Sequence, residues 1–237
     1  WRYQKLLTQF YLDQHQQDKA LAVVQQYYKT HPKNYIMGML YAKVLLLNKK
    51  YAETDAVLKQ LEIIPFEGAT DGRELYRETK LMQAVELMKA GNFKKAQGFI
   101  NASRLWPENL GVGKPYEADI DYRLENWLQY TCNEKTGKAA RNKALLQEIF
   151  AFKPQVDNTV RNFQPANELV TAWAYKAINE PAKGMEWLEQ QTRAYPENNT
   201  IAWARSVYEQ KPVNSTAVVA RDANARILEA FLPLVKQ

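Results

Sequence analysis

The sequence predicts an all-α fold, a right-handed α-solenoid built from helix pairs. Two observations carry this. First, Pro32, Pro65, Pro107, Pro154 and Pro196 each follow an amphipathic segment, at spacings of 33, 42, 47 and 42 residues. A period of this size, made of helix, turn and helix, is the signature of a stacked repeat. Second, apolar residues recur at helical spacing through every unit, and no stretch shows the sustained alternation and hairpin turns of strands. With 9 Gly and 10 Pro in 237 residues, composition disfavours disorder and all-β folds. Such arrays present surfaces and seldom carry chemistry.

The first unit, about 1–32, has Leu6, Leu7, Phe10 and Tyr11 on its first helix and Ala20, Leu21, Val23, Val24, Tyr27 and Tyr28 on its second. In the second, 35–65, Asn34 is placed as an N-cap. Ala42, Leu45, Leu58 and Leu61 fill its core positions, Thr54 replaces a usual Ala, and Pro65 is expected to stop the helix. The third, 71–107, opens on Asp71 and Glu74, the spacing of a capping box. Ala84, Leu87, Ala96 and Ile100 line it, and Gly91-Asn92 makes its turn. The fourth, 117–154, is degenerate, with helices expected over Glu117–Asn133 and Ala139–Phe152 and Gly137 between them. An extended connection over 155–164 leads to the fifth, 165–196, with Ala172, Tyr175 and Leu188, and Gly184 where Ala is usual. A last pair, with helices over 200–209 and 222–235, caps the stack at 199–237.

Thr8, Tyr11, Ala20, Val24 and Pro32 fall on the marker positions of the 34-residue tetratricopeptide repeat, and the chain resembles that family over nearly its whole length. Small residues at 8 and 20 would let the paired helices approach closely. The resemblance implies a protein-binding scaffold. The peptide-carboxylate clamp of some members is incomplete, since Lys5, Gln9, Met39 and Lys43 do not reproduce its Lys and Asn set.

A second resemblance rests on the run Trp106-Pro107-Glu108-Asn109-Leu110-Gly111-Val112-Gly113-Lys114-Pro115-Tyr116 and on the helices around Trp173 and Trp203. It is similar to the C-terminal helical region of large bacterial proteins that begin with a galactose-mutarotase-like β-sandwich. This implies an accessory domain of a carbohydrate-related protein, and it carries over no sugar-site residue. Trp106, Asn109, Gly111, Gly113, Lys114 and Tyr116 are the candidate docking or ligand residues. Flat aromatic faces with a polar handle, directional donors and bare backbone suit a neighbouring domain or a sugar.

Other chemistry is disfavoured. Gly111-Val112-Gly113-Lys114 is not a phosphate loop, because Glu108 stands where its first Gly belongs and Pro115 where Ser or Thr must follow. No cofactor or metal is expected. His15 is read as a turn residue and His31 as packing before Pro32. Asp119, Asp121 and Glu125 are read as a solvated acidic face. Cys132, the single cysteine, permits no intrachain disulfide. The net charge of +6 is scattered, so nucleic acid is not an expected partner. Lys49, Lys50, Lys94, Lys95, Lys135 and Lys138 are read as offsetting helix dipoles at turns, in preference to forming a basic ridge. No run reaches the ~18 apolar residues of a membrane span. The start at Trp1 is read as marking a C-terminal piece of a longer protein. Its compartment is open, with the cytoplasm as the working expectation. The function expected is a non-catalytic interaction or interdomain packing scaffold. The alternative is a helical domain forming one wall of the sugar site of a carbohydrate-active enzyme.

Overall fold

The computed structural model describes residues 1–65, 69–154 and 162–235. Among them are thirteen α-helices and no strand, so the fold is all-α. The first pair is α1 (Arg2–Asp13) and α2 (Gln17–Thr30), the second α3 (Tyr35–Leu47) and α4 (Tyr51–Gln60), the third α5 (Asp71–Lys89) and α6 (Phe93–Ser103). Then come α7 (Arg123–Lys135) with α8 (Asn142–Ala151) and α9 (Asn167–Ala177) with α10 (Pro181–Ala194). The chain closes with α11 (Asn199–Tyr208), α12 (Thr216–Arg221) and α13 (Ala223–Val235).

One turn defines the pairing. The helices α1, α3, α5, α7, α9 and α11 each run into a residue in the left-handed region: His15, Lys49, Gly91, Gly137, Asn179 and Gln210. The N–H of the following residue then reaches back five positions, as from Gln16 to the Tyr11 carbonyl at 2.8 Å and from Glu180 to the Tyr175 carbonyl at 2.9 Å. The same bond runs from Lys50 to Leu45, Asn92 to Leu87, Lys138 to Asn133 and Lys211 to Ser206. This is the Schellman closure, which satisfies carbonyls left over at a helix C-terminus. Two of the second helices, α4 and α8, end differently, on the extended residues Leu61 and Phe152.

Contacts cluster in two compact units, Trp1–Gln83 with Asn101–Lys114, and Ala84–Ile100 with Pro115–Gln237. In the first, α1 to α4 pack in sequence order. Ala20 and Val24 of α2 share a buried cluster with Met37 and Val44 of α3, flanked by Tyr11, Leu12, Leu40 and Tyr41. The small-residue positions behave as the repeat pattern requires: Thr8, Ala20, Ala42 and Thr54 are all buried. The two threonines satisfy their hydroxyls on carbonyls four residues back, Gln4 at 2.7 Å and Lys50 at 2.9 Å.

In the second unit α7 to α13 also pack in order, and α9 additionally meets α7 and α11. Trp173 of α9 lies between Trp127 of α7 and Phe231 of α13, at centroid distances of 5.8 and 6.2 Å. Gly184 replaces Ala for a steric reason. A Cβ there would stand 2.7 Å from the Ala172 carbonyl oxygen.

Several expectations need correction. Pro65 stops no helix, because α4 ends five residues earlier and Leu61 is already extended. The helix α5 begins at Asp71, and Thr70 supplies the carbonyl that accepts from Arg73 and Glu74. Asp71 is therefore a first-turn acid, not the N-cap of a box. The first helix of the fourth unit starts at Arg123 instead of Glu117. Residues 117–119 make one 3-10 turn, and the Asp121 carboxylate accepts from the Arg123 N–H at 3.0 Å. The helix α12 is absent from the sequence reading. Asn34 does cap α3, accepting from the Met37 N–H at 3.1 Å. The connection expected over 155–164 falls mostly outside the described residues.

Candidate interaction surfaces

The outer face of α1 leaves three large apolar side chains uncovered on the first unit. Leu7, Thr8, Tyr11 and Leu12 turn inward, while Tyr3, Leu6 and Phe10 are 70%, 71% and 55% exposed. Their spacing of three and four residues puts them in one row along the helix. Leu6 and Phe10, which share helical spacing with Leu7 and Tyr11, thus lie on the outward side of the helix. A row of large apolar side chains in water is the kind of surface that marks a contact site, whereas isolated ones are ordinary.

The segment 106–116 divides in two. Its first half is held to the first unit. The Trp106 ring lies under the Arg73 guanidinium, 4.5 Å from Cζ to the ring centroid, and Arg73 Nη2 donates to the Ser103 carbonyl at 2.7 Å. Asn109 Nδ2 donates to the carbonyls of Leu58 and Leu61 at 2.9 and 2.8 Å, closing the end of α4. The Asn109 carbonyl accepts from the Ile63 N–H at 2.9 Å. Leu110 is buried, and Gly111 sits at φ +67°, where a Cβ would come within 2.7 Å of the Ile63 carbonyl oxygen. Both the backbone angle and the space require glycine there.

The rest of the segment is open. Gly113 has free space around it, Lys114 is exposed, and Tyr116, in the second unit, is 85% exposed. Asn109→Ala should destabilise the first unit by about 1–3 kcal/mol, because two carbonyls lose their donor. Urea unfolding gives the total. Amide exchange should quicken at Ile63, and an unchanged rate there would count against the role assigned to Asn109.

Sequence reasoning missed the buried charges. In the second unit Arg123 Nη2 meets Asp121 Oδ2 at 2.8 Å and Glu168 Oε1 at 3.0 Å, and all three side chains are essentially without solvent exposure. Arg123 Nη1 donates to Thr171 Oγ1 at 3.0 Å, Trp187 Nε1 donates to Glu168 Oε2 at 2.9 Å, and the Phe152 ring lies 5.2 Å from the guanidinium carbon. Burial alone would lower the Arg123 pKa, but the two carboxylates outweigh it and hold it above its ordinary value. Burial raises the Glu168 pKa further than Arg123 and Trp187 lower it. Asp121 and Glu125 are buried, which corrects the reading of a solvated acidic face. The cluster is closed to a substrate, and its role is to join α7 to α9.

In the first unit Asp55 meets Lys80 at 2.6 Å and Lys59 at 2.8 Å. Burial pushes its carboxyl upward, but the two ammonium groups outweigh it and hold it below its usual range. Cys132 is fully buried, and desolvation pushes its thiol up to about 12, so it is no nucleophile at neutral pH. His31 stacks on Tyr27, with centroids 4.4 Å apart. Among the described residues no group of three or more His, Cys, Asp or Glu could hold a metal, and no helix is long and apolar enough to cross a membrane.

Fold and surface together define an all-α protein of helix hairpins with an uncovered apolar row on its first helix. No protein-family model matches the chain, and no curated protein matches it. Among solved structures it is similar to a thermophilic tetratricopeptide-repeat protein from Thermus thermophilus. That likeness has a TM-score of 0.49 and 12% identity, covering 88% of this chain and 98% of the other.

Proposed function

We propose that this chain is a non-catalytic protein-interaction scaffold whose docking surface is the outer row of α1. The single observation that carries the reading is the exposure of Tyr3, Leu6 and Phe10 side by side on one helix. Burying such a row on a partner would contribute several kcal/mol, at roughly 1.5–3 kcal/mol for each large apolar side chain taken out of water. Leaving it in water serves nothing in the first unit itself, since the opposite face of α1 already makes the contact with α2.

Within the segment 106–116, the residues left for docking of a neighbouring domain are Gly113, Lys114 and Tyr116. Trp106, Asn109 and Gly111 are engaged in holding the segment to its own unit. A β-sandwich or sugar-binding neighbour for that tyrosine rests on the run 106–116 of the sequence.

The test is site-specific photo-crosslinking in the native host. A photoreactive residue at Leu6 is expected to give a discrete adduct, and one at exposed Ala56 on α4 is expected to give none. The same result at both positions, or no adduct at Leu6, would remove the α1 row as a docking surface.

A further inference from the structure

The first two hairpins are in register at a shift of 34 residues. Thr8 corresponds to Ala42, Ala20 to Thr54 and Val24 to Leu58, and all six are buried. The same shift carries Tyr3, Leu6 and Phe10 onto Met37, Leu40 and Val44. On α3 that row is covered. Met37 and Val44 are fully buried with Ala20 and Val24 of α2, and Leu40 packs against the same cluster. So the row that α1 exposes is the row with which α3 receives the preceding hairpin.

From this we infer that the occupant of the α1 row is another helix hairpin, stacked on α1 as α2 is stacked on α3. Its contacting helix presents small and β-branched side chains, in the manner of Ala20 and Val24. The inference rests on reading the α1 row as a docking surface, and it adds the chemistry of the partner. The α2–α3 interface shows what such a contact needs. A narrow face of Ala and Val admits larger side chains from the receiving helix, and the larger Tyr3 and Phe10 extend the reach of the receiving row. Arg2 and Lys5 flank the row at its first turn and Asp13 follows it at the last, so an occupant with an acidic residue against the first turn and a basic one against the last would fit best.

The experiment uses the whole chain with a duplicate of residues 1–34 placed ahead of Trp1, which presents a second copy of α2 to the row. The readout is amide exchange of the original α1, with helix content per molecule as the measure of folding. Stacking is expected to slow exchange in α1 at least tenfold, and Leu6→Asp in the covered copy is expected to abolish the gain. In the chain without the duplicate, the same substitution should leave the unfolding midpoint unchanged. A control form carries Tyr3→Met and Phe10→Val in the covered copy, which reproduces the row of α3. If the control is protected and the natural row is not, the inference is overturned, and crosslinking at Leu6 still decides separately whether the row docks anything. If neither form orders the added hairpin, the register argument fails. A concentration-dependent dimer of the unduplicated chain, lost on Leu6→Asp, would make the occupant a second copy and overturn the hairpin assignment.

Discussion

Replacing Arg123 with Met is expected to destabilise the second unit by about 3–5 kcal/mol, the cost of leaving buried carboxylates without their counter-charge. Asp121 and Glu168 would both face a neutral side chain at 2% and 0% exposure. The sign of the pH dependence follows from the same geometry. The Glu168 pKa already lies above its usual value because burial dominates, and removing Arg123 raises it further. A carboxyl whose folded pKa is raised binds its proton more tightly in the folded state. Stability therefore falls as pH rises from the unfolded to the folded pKa. The deficit of the variant should accordingly be largest near neutrality and shrink as pH is lowered toward the ordinary carboxylate range. Urea unfolding at a series of pH values measures this. A deficit below about 1 kcal/mol, the range of exposed pairs, or one that grows on acidification, would show that the cluster is not closed from water.

Trp203→Ala should cost a similar amount, about 3–5 kcal/mol, through lost burial and the cavity left behind. The indole is 1% exposed on α11, which packs on α9 and α10. Its Nε1 is buried with no hydrogen-bond partner among the described residues, so its contribution is apolar. Trp203→Phe should therefore recover more than half of the loss. Thermal unfolding with tryptophan fluorescence reads both variants. Equal losses for Ala and Phe would assign the indole N–H a role that its surroundings do not provide.

The helix pairs were legible in the sequence because a close crossing admits few residue types. Thr8, Ala20, Ala84, Ala96 and Ala172 announce those crossings by their size, and all are buried. The glycine turns at Gly91 and Gly137 were legible for the same kind of reason. The turns at His15 and Lys49 were also read as turns; those at Asn179 and Gln210 were not, although Asn is a residue that favours the left-handed region.

Prolines misled where they trail a helix without ending it, as at Pro65. The buried ion cluster was hidden because Asp121 and Arg123, two residues apart, read like any solvated pair. Their third partner, Glu168, lies 45 residues beyond Arg123. Asn109 looked like a spare donor for the same reason, as its acceptors are 48 and 51 residues away. The α1 row was visible as apolar spacing. Spacing alone, however, does not say which of two apolar faces meets a neighbour, and Leu6 and Phe10 face outward on a helix that turns Leu7 and Tyr11 inward.

The uniform hairpin turn bears on how the chain assembles. The helices α1, α3, α5 and α9 each hand over to the next helix through three residues, so bringing these pairs together forfeits little chain entropy. Segments that close over such short spans meet on a timescale of about 10–100 ns. The amide and ion links from Asn109 to Leu58, Arg123 to Glu168 and Asn224 to Asn167 span 45 to 57 residues and must wait for a larger search. Hairpins are thus the early, interchangeable pieces. The few long-span polar links act as late latches, checking that the right pieces have come together.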